Sequence, residues 1–177
     1  MIVAPAAMAE RARHLATQAR QPVPHYEHRE VGYNYRMSNL LAALGDAQLS
    51  GLDSRIERRR SIRYRYEAEL SETDGIVSFM PIAEYGEPNS WLTVAQLADD
   101  RVAQICKLMG QRGVEVRRAW KPMHMQPVFE SHEAHLKGVS EEIFATGLCL
   151  PSGSSLTEEE QRYVIDSLKE SLLEGQT

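Results

Sequence analysis

Gly32-Tyr33-Asn34-Tyr35-Arg36-Met37-Ser38-Asn39 is a polar, aromatic and compact stretch that runs straight into a long helical pattern ending at Leu70. An Asn and an Arg two residues apart, placed where a helix begins, suit a bound anion. Helix-end amides carry partial positive charge, and a guanidinium adds a forked set of donors. Phosphate is the obvious guest. The same residues also fit a plain helix-entry loop in which Asn34 holds a turn and Arg36 pairs with Glu30. Spacing alone leaves both readings open.

Working outward, residues 38–70 read as one helix, which at 1.5 Å per residue spans roughly 50 Å. Leu41, Leu44, Gln48, Leu52 and Ile56 form one stripe at helical spacing. Ile62, Tyr66 and Leu70 form a second, out of phase with the first. Two displaced stripes let a helix pack on two bodies, or kink between them. Upstream, Met1-Ile2-Val3 is a short apolar start, residues 5–18 read as a helix with Pro5 in its first turn, and residues 21–31 are an irregular loop. Downstream, the pattern predicts strands at 76–80, 90–98, 114–120 and 147–150, with helices at 100–111 and 140–146. Thr157-Glu158-Glu159-Glu160 is a capping box that opens a last helix with apolar Val164, Ile165, Leu168 and Leu172. The sum is an α+β or small α/β layer structure with three or four short strands behind a long leading helix.

Bulk properties narrow the function classes. The chain has 177 residues, 42% of them hydrophobic, and a net charge of −5, which gives no global pull toward nucleic acid or anionic membrane. Arg55, Arg58, Arg59, Arg60, Arg63 and Arg65 make a basic run, but Glu57, Glu67 and Glu69 dilute it. A solvated helix face with i,i+4 pairs is the favoured reading. No apolar run is long enough for a transmembrane helix and no signal-peptide pattern is present, so the expectation is a cytoplasmic protein with no membrane partner. Cys106 and Cys149 sit among apolar residues, as free thiols do in a reducing compartment.

Three other clusters bear on chemistry. Trp120-Lys121-Pro122-Met123-His124-Met125-Gln126-Pro127 sets Trp, Lys, His and Gln in a loop bracketed by prolines, which suits ligand presentation or a plain strand end. His132 and His135 stand at i,i+3 with no third ligand in view, so no metal is assigned. Pro151-Ser152-Gly153-Ser154-Ser155 lacks the lysine of a phosphate loop and reads as a turn leading into the capping box.

Three segments, in order, resemble the C-terminal part of the DegT/DnrJ/EryC1/StrS sugar aminotransferases. They are His28 to Asn39 with Ala42-Ala43-Leu44-Gly45 and Gln48-Leu49, then Trp120 to Phe129, then Gly147-Leu148-Cys149-Leu150-Pro151-Ser152-Gly153. The second segment further resembles the branch that makes 4-amino sugars for bacterial glycans and polysaccharides. The resemblance implies the small C-terminal domain of fold-type I aminotransferases, dependent on pyridoxal phosphate and active as a homodimer. It implies that Asn34 and Arg36 face the cofactor phosphate of a partner subunit. Tyr26, His28, Lys121 and His124 would lie toward a nucleotide-sugar substrate, with glutamate as amino donor. It divides the chain into a large-domain remnant at 1–31, the motif and interdomain helix at 32–70, and a small domain at 71–177.

One departure matters. The lysine that carries the cofactor in that family lies upstream of a segment like Met1-Ile2-Val3, and Lys107, Lys121, Lys137 and Lys169 are the only lysines here. No catalytic residue is therefore assigned. The resemblance implies a fragment that binds no cofactor by itself, a non-catalytic folding or dimerisation module. A lysine-free dehydratase relative is the further alternative.

Overall fold

The computed structural model describes residues 5–174, so Met1-Ile2-Val3 lies outside the described residues. The chain divides into two compact units, Met1–Gly51 and Leu52–Thr177.

The first unit holds α1 (Ala6–Ala16) and α2 (Asn39–Leu49), joined by a long loop. Pro5 precedes α1, and its carbonyl accepts from the Met8 and Ala9 amides. Ser38 caps α2, its hydroxyl accepting from the Leu41 amide. Neither helix buries a residue fully.

The helix read as continuous over 38–70 is interrupted at Ser50 and Gly51. The Ser50 hydroxyl donates to the Ala47 carbonyl at 2.8 Å, and the Gly51 amide turns to the Gln48 carbonyl at 3.3 Å. A serine that bonds back into the helix, followed by a glycine with little cost for leaving it, ends the segment.

The second unit starts with α3 (Leu52–Leu70) and continues through β1 (Ile76–Phe79), β2 (Thr93–Leu97), α4 (Val102–Gln111), β3 (Arg117–Arg118), α5 (Val139–Thr146), β4 (Gly147–Leu150) and α6 (Glu158–Glu174). The four strands form one antiparallel sheet in the order β1-β2-β4-β3. The fold is α+β. Ile62, Tyr66 and Leu70, the second stripe of the sequence, are fully buried. They join Ala95 and Leu97 of β2, Leu148 and Leu150 of β4, Val102, Ile105 and Met109 of α4, and Val164, Ile165, Leu168 and Leu172 of α6 in one core. The capping box forms as read: the Glu160 carboxylate accepts from the Thr157 amide at 2.8 Å, and the Thr157 hydroxyl accepts from the Glu160 amide at 3.2 Å.

The strand predicted at 114–120 shortens to Arg117–Arg118. Val114 is drawn into the end of α4, its amide on the Met109 carbonyl, and only Arg117 and Arg118 meet β4 in register. At Gly147, where α5 passes into β4 without a loop, an added Cβ would stand 2.4 Å from the Ile143 carbonyl oxygen.

The basic run of α3 is more than a set of i,i+4 pairs. Arg63 and Arg65 do pair with Glu67 and Glu69. Five arginines, however, donate to backbone carbonyls far along the chain: Arg58 to Leu156, Arg59 to Trp91, Arg60 to Pro88, Arg63 to Met80 and Arg65 to Glu158. The helix ties down the loops around the sheet with charge-assisted bonds. Among the described residues no helix is long and apolar enough to cross a membrane.

Candidate functional site

In the first unit the Gly32–Asn39 stretch runs alongside the end of α1. The Tyr33 amide donates to the Leu15 carbonyl at 2.7 Å, the Gln18 amide to the Tyr33 carbonyl at 3.0 Å, and the Tyr35 amide to the Ala16 carbonyl at 3.1 Å. Gln18 and Ala19 both take left-handed backbone, with φ of 67° and 52°. That turn brings residues 17–20 against the stretch so closely that a Cβ on Gly32 would lie 2.2 Å from the Ala19 nitrogen. Glycine at position 32 is thus a condition of the contact.

The result is an open hollow of about 590 Å³ whose lining includes Thr17, Arg20, Gln21, Tyr26, Asn34 and Arg36. Asn34 and Arg36 precede the α2 cap Ser38, so they face this hollow from the loop and not from the first turn of a helix. Glu30 does not pair with Arg36. It takes Arg11 through both carboxylate oxygens and His14 at 3.4 Å. The Arg11 hydrogen bond is the first cause that holds the Glu30 carboxyl below its ordinary range. Arg36 and Asn34 make no side-chain hydrogen bond or ion pair among the described residues. Their donors, with the Arg20 guanidinium lying 4.2 Å from the centre of the Tyr26 ring, remain available to an anion. The donor set suits a phosphate, and no lysine is present in this unit to meet an aldehyde.

His28 lies beside the hollow without lining it. Its Nδ1 is 2.8 Å from the Gln18 carbonyl. A carbonyl only accepts, so Nδ1 donates and Nε2 is the free nitrogen. His28 therefore braces the left-handed turn at Gln18. Tyr33 and Tyr35 stack on one another with ring centres 5.1 Å apart.

Lys121 and His124 lie in the second unit. Pro122 and Pro127 bracket a 3-10 turn over Met123–Met125, and a second turn follows over Pro127–Phe129. His124 Nε2 sits 3.0 Å from the Glu141 carboxylate at the start of α5, and both side chains are partly exposed. The Glu141 carboxyl is held below its ordinary range by its own backbone amide first, then by the Ser140 hydroxyl, with His124 adding to both. His124 thereby presents Nδ1. The Lys121 carbonyl accepts weakly from the Gln126 carboxamide at 3.4 Å. His132 and His135 line a separate small hollow with His124, and no group of three metal-ligating side chains occurs among the described residues.

The third motif segment serves the core. The Ser152 hydroxyl, buried, accepts from the Thr93 amide at 3.0 Å and donates to the Leu150 carbonyl at 2.8 Å. The Tyr66 hydroxyl donates to the Pro151 carbonyl at 2.9 Å.

Sequence reasoning missed Thr17, Arg20, Gln21 and Glu141. Gly32 was the available signal for the first three, since a glycine flanked by bulky residues marks a close backbone approach. Nothing in the spacing connects Glu141 to His124.

A family model described as the DegT/DnrJ/EryC1/StrS aminotransferase family matches residues 1–169. EpsN of Bacillus subtilis (strain 168), whose name assigns it provisionally to the pyridoxal phosphate-dependent aminotransferases, is 47% identical over 166 residues, which make up 90% of this chain and 42% of EpsN. GDP-perosamine synthase of Caulobacter vibrioides is 30% identical over 169 residues, 94% of this chain and 46% of that protein. The crystal structure of the aminotransferase TlmJ from Streptoalloteichus hindustanus matches with a TM-score of 0.79 at 26% identity, covering 97% of this chain and 46% of TlmJ. The chain thus spans less than half the length of these relatives, and the match takes in both units. With its helix-end signature, its Trp-Lys-Pro-Met-His loop and its α+β fold all inside the matched region, the chain belongs to the DegT/DnrJ/EryC1/StrS aminotransferase family.

Proposed function

We propose that this chain acts as the C-terminal part of a pyridoxal phosphate-dependent aminotransferase that moves an amino group from glutamate to a keto sugar carried on a nucleotide, in bacterial glycan or polysaccharide synthesis. The observation that carries this reading is the hollow of the first unit. There Arg20, Asn34 and Arg36 offer hydrogen-bond donors around one open space with no acidic side chain among its lining residues. Asn34 and Arg36 would hold the cofactor phosphate, and Tyr26 would close one wall. Bound pyridoxal phosphate supplies the electron sink that amino transfer needs. The chain's own share is to bind and orient. His124, fixed through Nε2 by Glu141, turns Nδ1 toward the sugar nucleotide, and Lys121 adds a cation on the same loop.

None of the four lysines belongs to the first unit. The chain alone is therefore expected to hold no cofactor covalently and to carry out no amino transfer. Borohydride treatment of the chain mixed with pyridoxal phosphate should leave no stoichiometric label on any one lysine. A single lysine labelled to completion overturns the non-catalytic part of the reading. The enzymatic part is tested by a chimera in which this chain replaces the matching part of EpsN. It should release 2-oxoglutarate from glutamate and aminate a 4-keto sugar nucleotide. An assembled, cofactor-loaded chimera that does neither overturns it.

A second reading, assembly, is favoured by one observation. Leu40, Leu41, Leu44 and Leu49 are each more than half exposed on or around α2. A face this apolar is suited to a partner surface, and we propose a homodimer. Light scattering that shows a monomer at high concentration sinks this reading.

A further inference from the structure

We propose that Trp91 and Trp120 form a stacking platform for the base of a nucleotide, an inference that rests on the sugar-nucleotide reading above. These are the chain's only two tryptophans. They come from distant parts of the second unit, yet their rings lie 5.9 Å apart at 30°. Both are well exposed, at 60% and 65%. Indole is the largest aromatic surface a side chain can offer, and a protein rarely leaves two together facing water unless something covers them.

The platform is held from behind. The Trp91 amide donates to the Asn89 carboxamide oxygen at 3.0 Å, and the Trp91 carbonyl accepts from Arg59 at 3.0 Å. Next to Trp120, the Ala119 amide donates to the Gly147 carbonyl at 2.9 Å and ties the chain to the start of β4. Both backbones are therefore fixed while both rings stay free. At this separation and tilt the indoles already touch each other, so a guest lies on their outer faces and not between them.

The surroundings select the guest. A sugar ring would also stack on indole, but polar groups matched to its hydroxyls are what fix it in place, and the Asn89 carboxamide oxygen already accepts from the Trp91 amide. Two cations belong to neighbouring residues instead: Arg59 donates to the Trp91 carbonyl, and Lys121 follows Trp120 in sequence. A planar ring joined to phosphates meets both features, stacking on indole while its charge faces the cations.

The two tryptophans also supply the test, because all indole fluorescence of the chain comes from them. UDP, GDP and dTDP are titrated into the full chain, with pyrophosphate and a free hexose as separate arms. At least one nucleotide should quench the emission saturably, and pyrophosphate and hexose should not. Trp91→Phe and Trp120→Phe should each keep a quenchable signal from the remaining indole. In equilibrium dialysis Trp120→Ala should weaken nucleotide binding by about fivefold or more. Both side chains are exposed, so these variants should keep the wild-type circular dichroism. No saturable quenching by any nucleotide overturns the platform, as does equal quenching by pyrophosphate. Nucleotide bound in dialysis with Trp120→Ala unchanged also overturns it, while leaving the sugar-nucleotide reading intact. Failure of that reading shows separately, in the chimera assay.

Discussion

The two units of this chain are stabilised in different ways. The second carries a closed core in which α3, α4 and α6 cover one face of a four-stranded sheet, with residues such as Tyr66, Ile105, Leu148 and Leu168 removed from water altogether. The first has helices that bury nothing fully. Its shape comes from a backbone crossing in which Ala19 is the one fully buried residue among those described. Hydrophobic burial is the dominant stabilising term, so the second unit has what it needs to fold alone, whereas the first is a surface shaped for company. The candidate anion hollow lies on the unit with the least core of its own.

That contrast can be broken most directly in the core. Leu168→Ala should cost about 2–5 kcal/mol in urea unfolding, because the surrounding side chains collapse only partly into the space. Leu44→Ala, on the exposed face of α2, should change stability by no more than about 0.5 kcal/mol. An equal loss at both positions would mean that α2 is covered in solution, and the contrast would fail.

Next in size is the hollow itself. Arg36→Ala should weaken inorganic phosphate binding by about 10- to 150-fold, the equivalent of losing charged hydrogen bonds worth about 1.5–3 kcal/mol. Calorimetry reads the affinity, and the unfolding midpoint of the second unit should not move. A shared loss of affinity and midpoint would show that the first unit is not the separate binding surface described above.

Ser152→Ala sharpens the same comparison from the other side. It leaves the buried Thr93 amide without a partner, which should destabilise the second unit by about 1–3 kcal/mol and leave phosphate affinity alone.

The smallest effect concerns pH. The Thr157 amide, and then its hydroxyl, hold the Glu160 carboxyl below its ordinary range. A depressed folded pKa means that the stabilisation is complete above the unfolded value, about 4.3, and is lost as pH falls through the folded one. The gap in urea midpoint between wild type and Glu160→Gln should therefore be constant at neutral pH and close in acid. A gap that widens on acidification would have the wrong sign.

Much of the second unit was legible in the residues. The stripe Ile62, Tyr66, Leu70 and the capping box at Thr157 are local patterns, and local patterns survive into the fold. The interruption at Ser50-Gly51 was not legible, because two weak helix formers in a strong helical pattern mark a break only when no packing overrides them. For the candidate site, Asn34 and Arg36 stood out from composition and spacing. Arg20 and Glu141 did not, since their partners are brought to them by chain crossings that leave no periodic trace.

The sequence by itself determined the family and the main elements, through three ordered motifs and through apolar periodicity that only helices and strands can satisfy. Tertiary structure alone decided what the polar residues do. It turned the arginines of α3 from a charged face into clamps on distant carbonyls, made Ser152 a bracket for a strand, and set His124 on Glu141. It also gathered Arg20 with Asn34 and Arg36 around one hollow. The physical reason is that burial follows a residue's own spacing, whereas a hydrogen bond or a shared anion site depends on a partner whose distance along the chain is arbitrary.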